Sequence, residues 1–501
     1  MYIAVIAIIL GAWIGFANPF LHFPPFALLV PAGLAWMGRT AASPKKAFFH
    51  GFWAASLGYA GCMYWLVIPV HYYGGMNWLL SIPCPILIGM YLAAYAGLFS
   101  LATFYCRSFS PLLWGLFCGV GWASIEALRT FLFTGFPWLS LASAFSPWPL
   151  FIQGASVVGG IGLGVIFTSI AVWFTASGWR LSVDKAVAVC AISVVLFLGY
   201  QTIDNLPKGK SATACVVQGN IDQSLKWDPQ YQNGTVERYI TLSEEAVAKQ
   251  KTDFIVWPET ALPFYLQDIS SLGSAVRTFV REKQVPLVTG TPAYIYHPQA
   301  HDYTLYNRAY LISPHTAQME AYDKVHLLPF GEYMPLAEYI PFKKLVESVG
   351  DFAPGHKQGP LLTGNLALGI LICYEAIFPK LAQIRVDKGS NVLVNISNDA
   401  WFGRSSAPLQ HLFLSSLRAV EQERWLVRST NTGISAFISP KGQIFNATDT
   451  FTATAATRKI TLLDTVTFFH RNYQTVRLTI FTSAALLFLF GIATRRREHL
   501  R

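Results

Sequence analysis

Charge is scarce in this sequence. Asp, Glu, Lys and Arg make up only 13% of its 501 residues, about half of the ~25% usual for soluble domains, which excludes a chain wetted over its whole surface. Cysteine is sparse as well. Of seven, Cys62, Cys84, Cys106, Cys118 and Cys190 sit in apolar runs, and only Cys215 and Cys373 fall in a polar region. There is no CxxC and no Cys/His spacing suited to zinc, so neither a disulfide framework nor a metal site is expected. Internal repeats and low-complexity tracts are also lacking. What is abundant is apolar surface: 53% hydrophobic residues, including 36 Phe, 22 Tyr and 15 Trp. Such a chain cannot stay disordered; it belongs, at least in part, in a membrane.

The net charge of +10 is unevenly spread. Residues 205–473 hold 25 Lys/Arg and 23 Asp/Glu, whereas the remainder holds 12 and 4. The excess therefore accompanies the apolar segments, as a topology signal does, and does not form a phosphate-binding face. Nucleic acid is not an expected partner. Eight spans are read near 1–18, 24–38, 48–70, 79–105, 111–133, 149–175, 185–203 and 474–494, each near the ~20 residues that cross a bilayer. Arg39, Lys45, Lys46, Arg107, Arg180 and Lys185 lie in alternate loops, and Arg495, Arg496, Arg497 and Arg501 follow the last span. The other loops, around 19–23, 71–78 and 134–148, have no Lys or Arg. The positive-inside rule then puts both termini in the cytoplasm and 205–473 outside. The expected division is 1–204 for seven spans, 205–473 for an outer domain, and 474–501 for the eighth span and its basic tail.

In 205–473, short β-branched runs alternate with amphipathic stretches. Strands are expected at 214–218, 254–257, 286–289, 305–312, 367–373, 392–396 and 435–439, with helices at 229–249, 267–283, 376–388 and 408–427. This pattern predicts an α/β domain with a buried sheet.

Three strand ends carry chemistry. Trp257-Pro258-Glu259-Thr260-Ala261 follows the run Phe254–Val256 and places a carboxylate at the edge where α/β sheets hold their sites. Tyr322–Tyr333 contains Lys324, followed by an apolar stretch and Gly331-Glu332. Cys373 closes the run Ala367–Ile372 and precedes Tyr374, Glu375 and a helix. A thiol becomes a nucleophile only beside a base or cation. A carboxylate, an ammonium and a thiol at successive strand ends supply such a set, although each alone is more often a surface or core residue.

Glu259, Lys324 and Cys373 in these settings resemble the Glu-Lys-Cys triad of the nitrilase (carbon–nitrogen hydrolase) superfamily, which implies an αββα sandwich. With the words Gln223–Trp227 and Ser397–Gly403 and the eight apparent spans, the whole chain resembles the bacterial apolipoprotein N-acyltransferase family. The resemblance implies a monomeric, cofactor-free enzyme of the bacterial inner membrane with its catalytic domain in the periplasm. It implies a phospholipid donor (phosphatidylethanolamine) and a diacylglyceryl apolipoprotein acceptor, joined through a Cys373 thioester. Glu259 becomes the general base, Lys324 the oxyanion stabiliser, Glu332 an orienting carboxylate, Tyr374 and Glu375 pocket residues, and Trp227 a lid or acyl contact. The apolar segments 327–346 and 401–413 are expected to dip towards lipid. Glu126 and Arg129, unusual at membrane depth, either pair with each other or face a headgroup. A membrane-tethered amidase shares the triad but has less need of seven preceding spans; a transporter or receptor calls for more intramembrane charges than these two.

Overall fold

The computed structural model describes residues 1–16, 18, 20–178, 182–335 and 351–500. Arg180, Arg501 and the 336–346 part of the segment 327–346 lie outside them. Among the described residues, five helices are long and apolar enough to cross a membrane: Trp78–Tyr105, Pro111–Leu128, Ala155–Ala176, Val183–Ile203 and Tyr473–Arg497. A sixth crossing is formed if Pro44–Cys62 and Tyr64–Tyr73, bent by 58°, count as one span. The first two expected spans fold as shorter helices, Tyr2–Gly15 with 14 residues and Leu29–Thr40 with 12. At 1.5 Å per residue the longer reaches about 21 Å, short of the ~30 Å hydrocarbon core. Pro24 and Pro25 explain the second, because they open a separate 3₁₀ turn, Pro24–Leu28, where their missing N–H groups are harmless. Small residues let the helices meet closely: a Cβ on Gly89 would stand 2.7 Å from the backbone nitrogen of Ala60.

Residues 210–462 form two six-stranded sheets. The first holds β1 (Lys210–Gln218), β2 (Phe254–Val256), β3 (Leu287–His297), β4 (Asp302–Ile312) and β5 (Glu320–Asp323). The second holds β6 (Leu361–Thr363), β7 (Leu366–Ile372), β8 (Val392–Ser397), β9 (Leu426–Thr430), β10 (Ala436–Ile438) and β11 (Ile444–Phe445). A final strand, β12 (Thr454–Leu462), returns to the first sheet, giving the orders β12-β1-β2-β3-β4-β5 and β11-β10-β9-β8-β7-β6.

Side-chain alternation builds the layers. Ala214 and Val216 of β1 join Val256, Ile370, Ile372 and Val394 in the core between the sheets. Their neighbours Cys215 and Val217 face outward, packing with Tyr239 and Phe279 of the helices Pro229–Lys249 and Ser271–Lys283. Leu371 and Leu393 likewise face Ala382 and Leu412 of Pro379–Asp387 and Ala407–Gln422. The result is an α/β sandwich with helices on both outer faces. The helix expected to reach 427 stops at Gln422, since Leu426 begins the fully buried β9.

The sandwich is bolted to the membrane helices. Gln410 accepts hydrogen bonds from the indoles of Trp138 (2.7 Å) and Trp65 (3.2 Å) and donates to the carbonyl of Phe16 (3.1 Å). The segment 401–413 docks on this bundle instead of dipping freely: Trp401 packs edge-on against Tyr73 and Phe413 stacks on His22.

Candidate active site

The loops that follow β2, β5 and β7 converge. Glu259 comes after β2 and is buried. One of its oxygens accepts from the Asn307 amide at 2.7 Å, and the other from the Asn398 backbone N–H at 2.9 Å. Lys324 comes directly after β5 and is also buried. Its Nζ lies 2.8 Å from Glu332 Oε2 and 3.7 Å from Glu259 Oε1. Asn307 joins the two carboxylates, since its amide also donates to Glu332 Oε1 at 2.8 Å. Its carbonyl accepts from the Lys324 N–H at 2.9 Å.

Cys373 occupies the sharp turn between β7 and the 3₁₀ helix Cys373–Ile377, with φ of +50°. That left-handed conformation is strained for a residue with a Cβ and persists only where the surroundings impose it. The residue keeps some solvent contact. Its thiol is held well above its ordinary pKa, by burial first and then by the Glu259 carboxylate, with Lys324 pulling the other way. Both charged groups therefore act on the sulfur. Burial, opposed by Lys324, also raises Glu259 above the usual carboxylate range. For Lys324 burial opposes the charge, but Glu332 and Glu259 outweigh it and lift the ammonium above its ordinary value. The arrangement offers a protonated thiol, a base of raised affinity for its proton, and a fixed cation.

Glu375 does more than flank Cys373. One oxygen of this fully buried carboxylate accepts from Tyr322 Oη (2.7 Å) and the N–H groups of Val325 (2.8 Å) and His326 (3.1 Å). The other accepts from the Ile372 N–H at 2.8 Å. It therefore staples the Lys324 loop to the Cys373 turn. Tyr374 points the opposite way, donating to the Gly135 carbonyl of the membrane part at 2.8 Å. His326 packs on Phe378 and is pushed down to about 4 by burial and the Lys324 charge. Trp227 is half-buried, and its indole N–H is buried without a hydrogen-bond partner.

Several site residues escaped the sequence reading. Asn307 lies inside a strand, where a polar residue in an apolar run was the available signal. Lys226, next to Trp227, is fully buried and donates to Thr260 Oγ1 at 3.0 Å. Burial brings it down to about 7 against the pull of Glu259. Glu126 and Arg129 pair at 3.4 Å, and Glu126 also accepts from the Leu141 N–H at 2.7 Å. They line a cleft with Arg418, Glu421 and Ile377, the last residue of the Cys373 turn.

Comparison with known proteins extends this picture. A family model described as carbon-nitrogen hydrolase matches residues 213–467, and one described as the apolipoprotein N-acyltransferase N-terminal domain matches residues 10–175. The apolipoprotein N-acyltransferase of Geobacter metallireducens is 36% identical over 99% of this chain and 96% of its own length. That of Nitrosomonas europaea is 31% identical, covering 90% of this chain and 89% of its own. That of Pseudomonas syringae pv. tomato is 33% identical, covering 85% and 84%.

Proposed function

The chain belongs to the apolipoprotein N-acyltransferase family and is a membrane acyltransferase; from that premise we propose that Cys373 carries the acyl group as a thioester between a phospholipid and the α-amino group of an S-diacylglyceryl cysteine. The observation that carries the reading is a strained, half-buried cysteine within the field of a buried carboxylate and a buried ammonium.

Glu259 takes the thiol proton as sulfur attacks the ester carbonyl. A C–S bond forms, and the oxyanion leans on Lys324 and the N–H after Cys373, each donor contributing roughly 3–4 kcal/mol. The C–O bond then breaks, and Glu259 returns the proton to the departing lysophospholipid. In the second half the acceptor amine attacks the thioester, Glu259 takes its proton, the C–S bond breaks, and Glu259 passes that proton to the sulfur, restoring thiol and carboxylate. Glu332 keeps Lys324 oriented, Tyr374 and Glu375 hold the turn, and Trp227 covers the acyl chain.

The substrate requires a membrane site, because each buried CH₂ of a lipid holds it in the bilayer by ~0.8 kcal/mol. The basic loops favour a cytoplasmic location for both termini and a periplasmic one for the domain at 205–473 of a bacterial inner membrane. That domain lies between the helices of 1–204 and the last span in 474–501. Four of the five spans precede the domain, and five do when the bent pair Pro44–Cys62 and Tyr64–Tyr73 crosses as one; that odd count, like the expected seven, puts the domain on the side opposite the N-terminus. Phosphatidylethanolamine is the proposed donor, and the enzyme acts as a monomer without cofactor. Mass spectrometry of a lipoprotein N-terminus tests the function: removal of this protein abolishes the N-acyl group, and an unchanged N-terminus refutes the reading.

A further inference from the structure

Beneath the Cys373 turn lies a buried polar cluster that none of the steps above uses. Asp399, His411 and Arg428 are each almost wholly inaccessible. Arg428 Nη2 is 2.7 Å from Asp399 Oδ2 and donates to His411 Nδ1 at 3.1 Å. Nδ1 also lies 3.2 Å from Asp399 Oδ1, the oxygen that accepts from Ser397, while Nε2 lies 3.2 Å from the Cys373 carbonyl oxygen; an acceptor opposite Nε2 assigns the neutral ring's proton to that nitrogen and leaves Nδ1 to accept from Arg428. Burial, and then the Arg428 charge, keep His411 below its ordinary pKa, which favours the neutral ring. Ser397, at the end of β8, donates to Asp399 Oδ1 at 2.7 Å. Asp399 and the Asn395 amide, 3.4 Å from the Cys373 carbonyl, complete the surroundings.

Such a cluster is costly to bury, and its imidazole end finishes on the residue with the strained backbone. We propose that Asp399 and His411 are positioning residues for acyl transfer: Asp399, held by Arg428 and Ser397, seats the imidazole, and His411 pins the carbonyl of the left-handed turn. No covalent bond is made or broken in the cluster, and Arg428 keeps Asp399 paired throughout. Fixing the Cys373 carbonyl also fixes the peptide plane it shares with the next N–H, the donor aimed at the oxyanion. The inference rests on Cys373 being the nucleophile.

The test uses the full-length protein in phospholipid–detergent micelles. Iodoacetamide alkylation of Cys373, located by peptide mass mapping, is measured beside kcat and KM for N-acylation of a diacylglyceryl peptide. His411→Leu is expected to lower kcat about 100-fold with KM within about twofold, and His411→Gln, whose amide N–H reaches the same carbonyl, to recover about tenfold of it. A His411→Leu protein that turns over like wild type overturns the proposal, as does a Gln variant no better than Leu. Should alkylation of Cys373 leave wild-type activity intact, the nucleophile assignment fails and the proposal with it. Should alkylation abolish activity while the variants behave as wild type, the positioning role alone fails.

Discussion

Glu375→Gln probes the staple between the Lys324 loop and the Cys373 turn. The carboxylate accepts four hydrogen bonds, three on one oxygen and one on the other. With its carbonyl kept towards Tyr322, Val325 and His326, glutamine turns an NH₂ towards the Ile372 N–H, donor against donor. One buried N–H is thereby unpaired, at about 1–3 kcal/mol, and three bonds lose charge assistance. The sum is roughly 2–4 kcal/mol, small enough for the protein to fold and large enough to loosen the Lys324 loop. The assay pairs thermal unfolding in detergent with single-turnover acylation of the enzyme. A lowered melting temperature and slower acylation, with acceptor KM unchanged, are expected. A Glu375→Gln protein with wild-type melting and wild-type acylation would refute the staple.

Asn307→Leu removes the amide shared by Glu259 and Glu332 and leaves two carboxylates facing each other, so Glu259 rises further. The acidic limb of kcat/KM, expected in wild type above the ~4.3 of a free glutamate, then moves to higher pH; a limb that stays put contradicts the bridge. Lys226, folded at about 7 and near 10.4 when unfolded, makes unfolding take up a proton between those values, so stability should rise with pH across that window. Lys226→Met should flatten this rise, read as melting temperature at pH 7 and pH 9; an unchanged slope counts against a lysine held neutral by burial. Tyr374→Phe deletes the bond to Gly135 and should cost about 1 kcal/mol of stability, seen as a lower denaturation midpoint; no change in midpoint contradicts the tie.

Much of the sandwich is readable because strands obey a period of two and their ends carry Gly, Pro or polar residues; every strand expected in the outer domain has a counterpart. β12 escapes because Thr454-Ala-Ala-Thr-Arg-Lys459 lacks an apolar face, and its nine-residue pairing with β1 is specified by the partner. β9 escapes because Arg428 disguises a buried strand, its charge being answered by Asp399, 29 residues away in sequence. The short second helix escapes because hydropathy records composition and not where Pro24 and Pro25 break the chain. At the site, Glu259, Lys324 and Cys373 are conspicuous as strand-end residues. Asn307, Glu375 and His411 act through hydrogen bonds to residues 38 to 53 positions distant, which local sequence does not display.

The central claim is that one sulfur carries the acyl chain between donor and acceptor. Intact mass of the purified protein after incubation with phospholipid and no acceptor measures it directly. The account predicts a single fatty-acyl adduct that neutral hydroxylamine removes, that acceptor peptide discharges, and that Cys373→Ser lacks. An unmodified mass in protein that goes on to acylate the peptide at full rate would contradict it.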